Sequence, residues 1–124
     1  MTYLTKPLII LFRILAPVLV ILGIGFWTGH WAGLIPLHRF LGIAFVLTLW
    51  AIAVAALTNG NPQRRLAVFA IVWGFVVAVL GMTQQRILVG DLHWIVRVLH
   101  LATAIVAMHI AGKLTAPSRE AAPA

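Results

Sequence analysis

The chain contains no cysteine among its 124 residues. That absence excludes disulfides, thiolate metal sites, iron–sulfur clusters and covalent c-type haem attachment. Acid is nearly as scarce: Asp91 and Glu120 are the only two acidic residues, against nine Lys and Arg, for a formal charge of +7. No carboxylate therefore stands inside an apolar segment to drive proton-coupled transport, and no nucleophile has an orienting base beside it. Charged residues make up 9% of the chain and hydrophobic ones 63%, with a mean hydropathy of +1.09. Ordinary soluble domains do not have this composition. The basic excess does not point to nucleic acid, because Lys and Arg are scattered around the ends of apolar segments rather than gathered in a patch with interleaved aromatics. Membrane lipids with anionic head groups are the expected counter-charge.

What is present is four long apolar stretches, at 7–28, 37–58, 66–83 and 92–111, each near the roughly 20 residues that a helix needs to span hydrocarbon. They predict an all-α integral membrane protein, a four-transmembrane-helix antiparallel bundle over residues 1–114, followed by an Ala-, Pro- and Ser-rich tail, 115–124, expected to be disordered. The first stretch exceeds a typical signal-peptide core, carries Arg13 and Pro17 and lacks a small-x-small cleavage site, so it is expected to remain as a helix. Lys6, Arg64, Arg65 and Lys113 flank one side of the four spans, and Arg39 and Arg86 the other. The excess predicts both termini and the middle loop on the cytoplasmic side of a bacterial inner membrane. Helices two and four then run in the same direction, from outside to inside. Asn59-Gly60-Asn61-Pro62 is a strong helix stop, Pro36 suits a helix start, and Gly112-Lys113 suits a helix end. Trp27, Trp31 and Trp94 fall at the outer boundary, whereas Trp50 and Trp73 lie deeper and are expected to be packing groups. A faint repeat relates the two hairpins, each of which crosses a short outer loop and starts its second helix near a histidine.

Of the five histidines, His100 lies two turns inside the fourth apolar stretch, where a polar side chain needs a partner. His38, near the start of the second stretch, is the candidate. Two imidazoles from two helices on one side of a membrane suit the axial positions of an iron porphyrin. His93 is seven residues before His100 and shares its helix face. With the second helix drawn from residue 37, His100 is about 10 Å deeper than His38 at ~1.5 Å per residue, which favours His93 unless the helices start elsewhere. Depth alone leaves both open. His30 is expected to be an interfacial loop residue, and His109, turned away from His100 in the inner half, to make a polar contact with another helix or protein. Met82 and Met108 are isolated and expected to pack in the core. Arg39 follows His38, and Arg97 precedes His100 by one turn; arginine suits recognition of the propionates of such a cofactor. Small residues, among them Gly23, Gly25, Gly42, Gly74 and Gly81, let a helix or a flat ring approach the backbone closely.

At His38-Arg39-Phe40-Leu41-Gly42, Val79-Leu80-Gly81-Met82-Thr83-Gln84-Gln85-Arg86 and Val98-Leu99-His100-Leu101-Ala102 the sequence resembles one half of the heme A synthase family. Those proteins have eight helices in two four-helix halves, each half holding a haem between a histidine of its second helix and one of its fourth. The resemblance covers helices two to four. It implies His38 and His100 as the axial pair and prefers His100 to His93. The glutamate that the family's catalytic half carries just before its histidine-arginine motif is absent, with Gly33, Leu34, Ile35, Pro36 and Leu37 in its place. Loop cysteines found in some members are missing, and one half only is present. Oxidation of a haem methyl group is therefore not implied, and the chain is not expected to be an enzyme.

These expectations combine into a membrane-embedded b-type cytochrome binding one bis-histidine haem (heme b) for electron transfer, as a homodimer or a subunit of a larger membrane redox complex. Its cofactor-binding residues would be His38, His100, Arg39, Arg97 and Gly42, with His93 as the alternative ligand. Two rival roles stand beside it: a haem-free accessory subunit of a membrane complex, and a haem-handling protein.

Overall fold

In a computed structural model the chain is described from residue 5 to residue 116. Four long helices, α1 (Thr5–Trp27), α2 (Ile35–Thr58), α3 (Arg64–Thr83) and α4 (His93–Thr115), account for most of it, with two short 3₁₀ turns at Ala32–Leu34 and Gln84–Arg86. No strand occurs among the described residues. All four helices are long and apolar enough to cross a membrane. The protein is an all-α integral membrane protein built as a four-helix bundle.

Each helix stops or starts for a local reason. After α1 the His30 N–H reaches back to the Gly25 carbonyl at 2.8 Å, and Gly29 takes a φ of +83°, the left-handed conformation that closes a helix C-terminus. Trp31, also left-handed at φ 58°, then launches the 3₁₀ turn that runs directly into α2. The second span therefore begins at Ala32, earlier than the apolar pattern suggested, because Ala, Gly and Leu continue a helix across the loop. At the other end Asn59 and Gly60, the latter at φ +68°, end α2 as expected. Gly112 does not end α4. Leu114 is buried there, and the Thr115 hydroxyl donates to the Ala111 carbonyl at 2.8 Å, so packing carries the helix four residues past 111. Of the expected tail 115–124, Thr115 belongs to the helix, and residues 117–124 lie outside the described residues.

Three short connections make neighbouring helices antiparallel, and α2 and α4 consequently run parallel to one another. α2 is the central helix, packed on α1, α3 and α4, while α1 and α4 meet only sparsely. The dry core lies towards the terminal end of the bundle: Phe12, Leu15 and Ala16 on α1, Phe45 to Ala56 on α2, Ala67 to Val77 on α3 and Ala107 to Leu114 on α4. Phe12 stacks on Phe45 at 4.5 Å. The other end is filled far less densely. α2 has no buried residue before Phe45, and α4 has none between Val96 and Ala107.

Candidate functional site

His38 and His100 face one another in that sparsely filled half, their ring centroids 6.4 Å apart and their planes at 63°. The start of each helix explains how they meet. His38 stands six residues beyond Ala32, where its span begins, and His100 seven beyond His93. The depth offset that favoured His93 disappears once the 3₁₀ turn is counted into the second span.

Each imidazole is backed by a glycine from the preceding helix. A Cβ on Gly23 of α1 would lie 3.9 Å from His38 Cε1, and one on Gly81 of α3 would lie 3.3 Å from His100 Cε1. In this respect α1 stands to α2 as α3 stands to α4. Phe26 meets His38 edge-on at 5.3 Å. A Cβ on Gly42, one turn below His38, would meet nothing within 4 Å, so space is open beside the helix there.

Two atoms at this site stand out. His38 Nδ1 and His100 Nδ1 are, among the described residues, the buried side-chain nitrogens or oxygens that lack any hydrogen-bond partner. Leaving one such group unpaired costs about 1–3 kcal/mol, and a polar side chain within a membrane span marks a functional site unless a partner is found. Metal–imidazole distances of about 2 Å place two rings that share one metal ion about 6 Å apart between centres, close to the separation seen. A bare ion would need more donors. No group of three or more His, Cys, Asp or Glu able to hold one exists among the described residues, whereas a porphyrin brings its own equatorial nitrogens. The donor set therefore fits a macrocyclic cofactor better than a free ion.

The remaining expected site residues are placed as follows. Arg39 is exposed and its Nη2 donates to Gln85 Oε1 at 2.6 Å, tying the start of α2 to the turn after α3. Arg97 is exposed on α4, one turn before His100. His93 stands apart from the pair, its Nδ1 within 3.1 Å of the Ile87 carbonyl oxygen, where it braces the loop into α4. His30 lies in the loop between α1 and α2 with its Nδ1 3.1 Å from the Thr28 hydroxyl. His109 is exposed on α4.

The sequence pattern did not single out two interhelical anchors. Trp50 Nε1 donates to the Ile71 carbonyl on α3 at 3.0 Å, and Trp73 Nε1 donates to the Thr103 carbonyl on α4 at 2.9 Å. The latter lies one turn below His100, whose own carbonyl accepts from the Thr103 hydroxyl at 2.8 Å. A tryptophan deep in a span was the available signal, since a buried indole N–H usually finds an acceptor.

Comparison with known protein families, with characterised proteins and with solved structures gave no match.

Proposed function

We propose that this chain is a membrane b-type cytochrome that carries electrons through one haem held between His38 and His100. The observation that carries this reading is the pair of facing imidazoles from parallel helices, each with an unpartnered buried Nδ1. Support comes from the thin packing around them, from glycines behind both rings, and from the resemblance of residues 38–42, 79–86 and 98–102 to half of the heme A synthase family. When bound between these two residues, the cofactor would supply a reversible one-electron couple.

The chain's own residues have distinct parts in this. His38 and His100 present one ring nitrogen each as a ligand, in the neutral form that binding a metal requires. Gly23, Gly42 and Gly81 keep the backbone close enough for a flat ring to lie against it. Arg39 and Arg97, at the outer end of their helices, are placed to meet carboxylates at the interface. If His38 and His100 both bound the iron, they would leave no position for oxygen or substrate, and the group would supply electron transfer rather than catalysis. By the positive-inside rule the site lies towards the outer face of a bacterial inner membrane, with both termini in the cytoplasm.

The test is the absorption spectrum of the purified protein with haem counted per chain. The reduced protein should show the sharp bands of six-coordinate b-type haem. His38→Ala and His100→Ala should each lower haem retention by about tenfold or more, since loss even of a residue that supports a metal ligand costs about 10–100-fold. His93→Ala and His30→Ala should retain it. Full haem content in His38→Ala would reject the assignment.

A further inference from the structure

The seam between α1 and α4, at the end of the bundle away from the histidine pair, opens into a cleft of about 250 Å³ with Arg13, Ala16, Met108 and Gly112 on its walls. Arg13 stands eight residues beyond Thr5 in a helix long and apolar enough to span a membrane, about 12 Å along at ~1.5 Å per residue. It is exposed and makes no hydrogen bond or ion pair among the described residues. Asp91, at the opposite end of the bundle, is too far away to serve it. An arginine at that depth directs its guanidinium back towards the head groups and needs an anion there.

Another cation borders the same seam. Lys6 is seven residues before Arg13 and so lies on the same face of α1, and it is exposed. Apart from Arg13 and Thr115 the walls are apolar, with Ile9, Phe12, Ile52 and Met108 among them. Gly112 is exposed and a Cβ there would meet nothing within 4 Å, so the cleft is open at that point. A cationic rim above an apolar slot between transmembrane helices matches a phosphate above an acyl chain.

We infer that the α1–α4 cleft binds one anionic phospholipid, its phosphate on Arg13 with Lys6 at the rim and an acyl chain along Ala16, Met108 and Gly112. The inference is independent of any cofactor at the histidine pair. Charge complementarity selects the lipid over an apolar protein segment, because such a segment would leave Arg13 without a counter-charge inside the span.

The experiment incorporates the full chain into bilayer discs of equal phosphatidylglycerol and phosphatidylcholine and weighs the lipids retained by mass spectrometry of the intact complex. The wild type should retain phosphatidylglycerol in preference. Arg13→Gln should reduce that preference about fivefold, the factor that one basic side chain contributes near an anionic surface, and Arg13→Lys should restore most of it. Gly112→Leu, which leaves every charge in place, should lower lipid retention by filling the slot, and Arg65→Gln, on α3 away from the cleft, should behave as the wild type. Absence of a head-group preference in the wild type, or an equal loss from Arg65→Gln and Arg13→Gln, would overturn the inference.

Discussion

The two glycines that back the histidines leave unequal room, 3.9 Å from a Cβ on Gly23 to His38 and 3.3 Å from one on Gly81 to His100. A methyl on Gly23 would lie in ordinary contact with His38, whereas one on Gly81 would press on His100 at 3.3 Å, and a ring already packed in a helix seam yields only by rotating. Gly23→Ala should therefore keep the haem content of the wild type, and Gly81→Val should lower it several-fold and broaden the reduced-state bands as the imidazole turns. Haem content measured by absorbance separates the two; equal behaviour would mean that His100 does not depend on the α3 backbone. His93 shows that a shared helix face does not bring a residue into the same contacts. It shares a helix face with His100, but it belongs to the first turn of α4, where its ring meets the Ile87 carbonyl of the loop.

The helices are tied to one another by a few hydrogen bonds that matter more here than in water, because hydrophobic burial does not favour helix contact over lipid contact. Trp50 lies against Gly74 so closely that a Cβ there would collide with its indole, and the same ring donates to Ile71. Gly74→Ala should displace the indole and break that bond, with a cost of about 1–3 kcal/mol readable as a lower Tm in detergent. Asn61 acts across a longer distance: its Nδ2 donates to the Leu114 carbonyl at 3.2 Å, satisfying one of the orphan acceptors at the end of α4 from the loop between α2 and α3. Asn61→Ala should cost about 1 kcal/mol and speed amide exchange in the last turn of α4 while leaving the histidine end unchanged. An unaltered exchange rate at residues 112–115 would show that the cap is not made.

The whole bundle has two unlike ends, a dry packed core towards the termini and the histidine pair with arginines towards the other. Under the proposed reading the basic flanks Lys6, Arg64, Arg65 and Lys113 put the first end in the cytoplasm. Reporter fusions at the C-terminus should accordingly register an inside location, and an outside signal with four spans intact would move the histidine pair to the cytoplasmic face. Four helices also leave much surface to lipid or to a partner. His109 is exposed on α4 within the span, and a polar ring there is costly unless another chain covers it. Under the proposed reading a homodimer or a larger redox complex provides that cover. Since the chain has no cysteine, His109→Cys gives a single clean probe: oxidation in native membranes should yield a cross-linked dimer or a mixed adduct, and an uncrosslinked monomer as the sole product would place His109 in lipid.

Length and hydropathy alone determined that four helices cross a membrane, because a span is dictated by the thickness of hydrocarbon and by the need to satisfy the backbone internally. The helix stop at Asn59-Gly60 was legible for a similar reason, being set by local turn chemistry. His38 and His100 were legible as polar residues that a membrane span must account for. What brings them level was not legible: it depends on Trp31 adopting a left-handed backbone, so that the turn Ala32–Leu34 extends the second span outwards. Gly112 carried a local stop signal that lost to the burial of Leu114 and the cap from Asn61. The indole bonds of Trp50 and Trp73, the glycines behind each imidazole and the cleft beside Arg13 belong to the tertiary structure as well. Each depends on which faces of two helices meet, and apolar sequences that read alike on every face leave that choice to packing.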